Sequence, residues 1–374
     1  MKYLDEFRDP IIAKQLLRRI SALADQIAAT RTKPIQIMEV CGGHTHSIFH
    51  YGLEQLLPKN IEFLHGPGCP VCVLPKGVVD DCIYIARQEQ VIFATFGDAI
   101  RVPGSEFSLL QAKAQGADIR IVYSPMDALA LAKAIPTKRV VFFGLGFETT
   151  MPSTALTVLQ AEKEKISNFF LFCNHITIVP TLKSILVEPD LTLDGFLGPG
   201  HVSLIIGSQP YEFIAEQYAK PFVISGFEPV DILQAIVMLL SQIAEGRSEV
   251  ENQYSRLVLS EGNKQALQAM TQVFESRESC EWRGLGDIPD SGVKMKPAYA
   301  AFDVEQQFEL LHQHILDEEN CACGEVLIGK LKPSQCAAYG KQCTPEHPMG
   351  ALMVSTEGAC SAYYAHGRIA LNNV

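Results

Sequence analysis

Ile35-Gln-Ile-Met-Glu-Val-Cys-Gly-Gly-His-Thr-His46 and Ile61-Glu-Phe-Leu-His-Gly-Pro-Gly-Cys-Pro-Val-Cys72 share one build. In each, a short apolar run reads as a strand, and a glycine-bearing loop with cysteine follows it. Open parallel sheets hold their ligands on the loops that leave the carboxyl ends of strands. Three thiols and two or three imidazoles therefore fall where a site is expected. Glycine in such loops lets backbone approach a ligand closely.

The same rhythm of strand, loop and helix continues outward. Strands are predicted at 35–40, 61–65, 91–95 and 119–123. After a polar break at 136–138 they resume at 140–143, 169–173, 195–197 and 221–224. Eight such units, four and four, predict an α/β fold. It consists of two similar small parallel-sheet domains, residues 30–135 and 136–245, facing across a cleft. One closed eight-fold barrel is the alternative, but a run of about 210 residues is short for it. Residues 1–29 carry a one-sided helical pattern. With 246–374 they are assigned to a third region, mostly helix and loop, with helices at 251–259 and 263–274 and a break at Trp282–Gly286.

The 374 residues exceed one simple domain. Apolar residues at 47% and charged residues at 20% supply ample core. A net charge of −11 without a basic block argues against a nucleic-acid partner. The N-terminus has no apolar signal core, and the most apolar helix, 232–244, is too short for a bilayer. A cytoplasmic protein without a membrane partner is expected. Eleven cysteines in that compartment point to metal binding or redox work rather than disulfides.

Cys41 sits between a strand and a helix start, where amide N–H groups favour thiolate. With His44 it suits a metal ligand pair or a nucleophile and base; a glycine-rich structural turn is the plainer reading. Cys69-Pro-Val-Cys72 serves a redox dithiol or half a zinc site, and Cys41 with His44 would complete four zinc ligands. Glu148, Thr149 and Thr150, His175, His201, Asp98 and Arg101 lie on other strand-end loops. These could converge on Cys41, although Thr149, Thr150 and Asp98 equally suit helix capping. No phosphate-binding loop or full dinucleotide fingerprint is present. In the tail, Cys323, Cys336, Cys343 and Cys360 are separated by 12, 6 and 16 residues. Four thiolates suit a 4Fe–4S cluster or zinc, and Cys321 is a fifth thiol that spacing alone does not exclude.

Taken together, Cys41–His46, Gly66–Cys72, Gly146-Phe-Glu-Thr-Thr150, Pro199-Gly-His-Val-Ser203, Gly226-Phe-Glu-Pro229 and Ser355-Thr-Glu-Gly-Ala-Cys360 closely resemble the HypD family. That is the iron–sulfur protein family of NiFe-hydrogenase maturation. The resemblance implies two similar α/β domains plus a cluster domain. It implies a scaffold on which iron receives two cyanides and one carbon monoxide, with Cys41 as the ligand of that iron and Cys69 and Cys72 as the adjacent redox dithiol. Cys323 (followed by Gly324-Glu325), Cys336, Cys343 and Cys360 match the family's 4Fe–4S ligands, leaving Cys321 spare. His44, Glu148, Thr149 and His201 are the accompanying site candidates. Implied partners are a small HypC-like chaperone, a HypE-like cyanide donor and, through the chaperone, a hydrogenase large-subunit precursor. Electrons passing from the cluster to Cys69 and Cys72 would require the tail to pack beside the Gly66–Cys72 loop. The rival reading is an iron–sulfur thiol–disulfide oxidoreductase acting on a protein; a zinc-stabilised structural protein is a third.

Overall fold

A computed structural model describes residues 5–366, apart from 189–190, 316, 318 and 319. All eight expected strands form: β1 (Ile35–Glu39), β2 (Ile61–His65), β3 (Val91–Thr95), β4 (Ile119–Ile121), β5 (Arg139–Gly146), β6 (Phe169–His175), β7 (Gly195–Pro199) and β8 (Phe222–Ser225). Strands covered by helices on both faces are apolar without alternation. Thus β5 is buried from its second residue to its last.

The strands build two parallel sheets, which excludes the closed barrel. One has the order β2-β1-β7-β8-β9, with β9 at Val250–Asn252; the other has the order β4-β3-β5-β6. The expected boundary at 135/136 therefore needs correction, because it falls inside the second sheet. Strands β5 and β6 complete the sheet begun by β3 and β4, whereas β7 and β8 return to the free side of β1. One unit is made of 35–65 with 195–252, and 91–175 is inserted between its halves. The reason is physical: the rhythm identifies each unit, but crossover packing decides which strands become neighbours.

The N-terminal helix, Pro10–Ala28, starts at Asp9, whose carboxylate accepts the N–H groups of Ile11 and Ile12. Its Ile20, Ala24 and Ile27 pack with Ile35, Ile37 and the helix Pro229–Glu245. It thus covers the first sheet and does not join the tail, contrary to the expected third region. The tail is also less helical than expected. Residues 250–252 add an edge strand where a helix was predicted, the helix Lys264–Val273 follows, and β10 (Phe274–Trp282) pairs antiparallel with β11 (Gly286–Met295). Residues 1–4 and 367–374 of that region lie outside the described residues.

The carboxyl-end loops of both sheets line one cleft of about 500 Å³, which agrees with the expected facing arrangement. Among the described residues, no helix is long and apolar enough to cross a membrane.

Ile20 is fully buried in the N-terminal helix. Ile20→Ala is expected to lower stability by about 2–5 kcal/mol in urea unfolding. An unchanged midpoint would mean that this helix does not complete the core of the first sheet.

Candidate functional site

The site begins with a carboxylate. Glu39 ends β1 with no exposure to solvent. Its Oε2 accepts the Cys41 N–H at 3.0 Å, and its Oε1 accepts the Thr45 hydroxyl and, at 2.7 Å, the His65 Nδ1–H. Glu39 and His65 are direct partners in the β1–β2 register. One side chain therefore fixes the end of two strands and the first turn of the helix Gly42–His50. Cys41 stands just before that helix in extended backbone. The amides of Gly43 and His44 favour its thiolate, as expected of a helix start. Burial, aided by Glu357 and Glu39, outweighs them and pushes the thiol up.

The second cysteine loop lies directly on the first. The Gly42 N–H donates to the Gly68 carbonyl at 3.0 Å. A Cβ at Gly68 would stand 2.2 Å from the Cys41 nitrogen, so only glycine allows this approach. The Cys69 and Cys72 sulfurs are 2.6 Å apart, both buried and unbridged. A disulfide needs about 2.05 Å, so closure asks for little side-chain movement. Burial, then the neighbouring Cys69, pushes the Cys72 thiol well up.

Cys41 and Cys69 line the cleft together with Asp98, Thr149, Thr150, His201 and Glu357. Neither Thr150 nor Asp98 caps a helix through its side chain. Glu148 departs from expectation and does not line the cleft. Its Oε1 accepts the Ile178 N–H at 3.1 Å, its Oε2 has no partner, and burial pushes its carboxyl up to about 7. His175 is likewise turned into the protein, where burial holds it down at about 3.

His44 is not paired with Cys41. Its Nε2 lies 3.2 and 3.0 Å from the Ser225 and Gly226 carbonyls, so that nitrogen carries the proton. Its Nδ1 has no partner, and burial lowers its pKa to about 4. The expected nucleophile–base pair therefore does not form. Phe227 lies between two imidazoles, with ring centroids 4.5 Å from His44 and 3.8 Å from His201. Three separate sequence motifs meet in that stack.

In the tail, Cys321, Cys323, Cys336, Cys343 and Cys360 line one small cavity with Val326, Ala338, Met349 and Met353. The Cys321 and Cys323 sulfurs are 3.2 Å apart. The turn Ala351–Met353, which helps close the cavity, packs on the turn Val71–Val73. A Cβ at Gly358 would stand 3.0 Å from the Cys72 sulfur. The tail therefore lies beside the dithiol loop. Among the described residues, no group of three or more His, Cys, Asp or Glu side chains gathers at the spacing of a single metal ion.

A family profile described as "HypD: Hydrogenase formation hypA family" matches residues 12–367. The chain belongs to the HypD family. It is 58% identical over 371 residues to the hydrogenase maturation factor HypD of Rhodobacter capsulatus, covering 98% of each chain. The factor of the same name from Escherichia coli K12 is 55% identical over 366 residues, again with 98% of each chain covered. That of Cupriavidus necator H16 is 46% identical over 375 residues, with 98% of each covered. Of the six motifs that suggested HypD, five line the cleft or the tail cavity, and the sixth, Gly226–Pro229, meets the site through the stacking of Phe227 on His44 and His201.

Three residues of this site were missed as candidates from sequence. Glu39 left a signal, a lone carboxylate inside an apolar strand. Phe227 and Glu357 sat in noted motifs but carried no assigned role. Glu357 lies over Gly42, where a Cβ would stand 2.6 Å from its own Cβ, and burial raises its carboxyl.

Glu39→Gln replaces one acceptor oxygen with a donor and is expected to lose about 1–3 kcal/mol in urea unfolding, as for an unsatisfied buried group. Cys41 should also react faster with iodoacetamide; wild-type values of both would remove Glu39 from its proposed holding role. Glu148 gives a pH test. Its carboxyl is raised from 4.5 to about 7, so the folded state keeps a proton that the unfolded chain releases between those values. Wild-type stability is therefore drained as pH rises through that window. Relative to wild type, Glu148→Gln should gain up to about 3 kcal/mol between about pH 4.5 and 7, at about 1.4 kcal/mol per pH unit. A pH-independent difference would show that Glu148 ionises normally.

Proposed function

We propose that this chain is a hydrogenase maturation factor on which iron acquires two cyanides and one carbon monoxide. The observation that carries this reading is the junction of Cys41 and Cys69 on the wall of a cleft shared by both sheets, with the Cys72 sulfur 2.6 Å behind that of Cys69. The iron is cargo. Cys41 anchors it as a thiolate, because soft, strong-field ligands suit a thiolate-held iron of low valence. Its high pKa in the free protein means that binding iron must displace a proton. A HypC-like chaperone supplies a second cysteine, a HypE-like partner supplies cyanide, and the finished group leaves with the chaperone for the large-subunit precursor. The work is cytoplasmic, and the chain acts as a bench more than as a turnover enzyme.

Cys69 and Cys72 form the redox pair. The pair can cycle between dithiol and disulfide, an exchange of two electrons and two protons in either direction with a redox partner. Thr149 and His201 offer polar groups across the cleft, while the His44–Phe227–His201 stack holds the wall behind Cys41. The tail residues fit a 4Fe–4S cluster: the donors are all thiols and the cavity wall is apolar. Cys323, Cys336, Cys343 and Cys360 would hold it, with Cys321 spare, and when bound it would supply electrons singly.

The second reading, a thiol–disulfide oxidoreductase acting on a protein, draws on the 2.6 Å sulfur pair. It gives no role to Cys41 or to the buried network that positions it. Infrared spectroscopy of anaerobic protein co-produced with its partners separates the readings. Wild type is expected to show bound cyanide and carbon monoxide bands. Cys41→Ser should lose them all while keeping the fold and the tail iron. A serine variant that still carries cyanide-ligated iron would exclude Cys41 as the anchor.

A further inference from the structure

Cys41 follows β1, His201 follows β7 and Phe227 follows β8, and these three strands are neighbours in the first sheet. Glycines let the three loops meet. A Cβ on Gly43 would stand 2.9 Å from Phe227 Cε1 and 3.7 Å from His201 Cε1. A Cβ on Gly200 would stand 2.3 Å from the Ser225 carbonyl oxygen and 3.1 Å from Phe227 Cε2. The His201 imidazole is thereby brought against backbone two residues from Cys41, and both residues line the same cleft.

The plane of that imidazole is fixed through a chain of contacts. The Ser225 and Gly226 carbonyls lie 3.2 and 3.0 Å from His44 Nε2 and hold its ring. Phe227 stacks on His44 at an interplanar angle of 23°, and His201 stacks on Phe227 at 18°. Tyr254 meets the Phe227 ring nearly at right angles, with centroids 6.3 Å apart. The edge of His201 is left unused. Among the described residues neither of its ring nitrogens has a hydrogen-bond partner, and the residue stays exposed to the cleft. A phenylalanine would stack as well. What an imidazole adds is a ring N–H donor, and here that donor is free.

Cyanide bound to iron through carbon presents its nitrogen outward, with negative charge on it. A donor set in place before such charge arrives stabilises it without reorganisation. We propose that His201 donates a hydrogen bond to the nitrogen of a cyanide on the Cys41-held iron, and that Phe227 is the positioning residue that fixes the plane of this donor; this rests on the iron–cyanide reading above. Metal-bound carbon monoxide is a poor hydrogen-bond acceptor. The contact therefore distinguishes the two ligands and decides which coordination position a cyanide takes.

The test is infrared spectroscopy of full-length protein co-produced with its partners and purified anaerobically, recorded in H2O and in D2O, with iron measured on every sample. In wild type one cyanide band is expected to move on exchange, because the donated proton becomes a deuteron. His201→Leu should shift that band and abolish its response to exchange, while His201→Gln, which keeps an N–H donor, should retain the response. Phe227→Leu should broaden or split the same band, and Phe227→Tyr, which keeps the ring, should leave it sharp. Loss of cyanide in His201→Leu with rescue in His201→Gln would also support the donor. Loss in both His201 variants is the mark of a structural role and would overturn the inference, as would cyanide bands in His201→Leu identical to those of wild type. A sharp, unshifted band in Phe227→Leu would remove Phe227 from its role. Wild-type protein without cyanide bands would overturn the iron–cyanide reading itself, whereas wild-type bands that ignore exchange would overturn this inference alone.

Discussion

A carboxylate shut away from water must find its donors within the fold, and Glu39 finds three. Those donors are the backbone of Cys41, the hydroxyl of Thr45 and the ring of His65. The register of β1 against β2, the start of the helix Gly42–His50 and the direction of Cys41 all follow from that arrangement. Moving any of the three would strand a buried charge. The loop 66–72 can then settle only one way, because Gly68 must slide under the Cys41 backbone. Cys41 and the Cys69–Cys72 pair, which lie on separate loops in the sequence, thus acquire one geometry before any metal or partner arrives.

Local order was legible in the chain, and the pairing of distant parts was not. All eight strands showed themselves as apolar runs, most plainly β3, β5, β7 and β8, which are covered on both faces, and least so β4, which leaves Ile121 exposed. Which strands became neighbours was hidden. The crossover of β7 back to β1 depends on packing between segments more than a hundred residues apart. The N-terminal helix was visible from its spacing, but its seat on the helix Pro229–Glu245 was not.

The site divides in the same way. Cysteine and glycine advertise chemistry through their rarity and their spacing, so Cys41, Cys69, Cys72 and the tail thiols could be selected early. Glutamate advertises nothing, being the commonest kind of surface residue. Glu148 was selected by its motif, yet its burial turns it toward the helix start at Ile178 and away from the cleft. Glu357 lay in a selected motif without attracting attention, yet it covers the Cys41 loop. His44 and His201 seemed to be separate candidates. Phe227 unites them, and only the folded chain brings that ring between them.

The insertion of one sheet within the other bears on the order of events during synthesis. The second sheet is complete once β6 has emerged from the ribosome. At that moment the first sheet possesses only β1 and β2, a pair too small to bury its own faces. It must wait for β7 and β8 before its centre closes, and for the tail before the sulfur sites meet. The cell therefore carries a half-built sheet bearing three reduced thiols through much of translation. Early contact with oxidant or stray metal would find those thiols unprotected, so the reducing environment of the nascent chain matters as much as that of the finished protein.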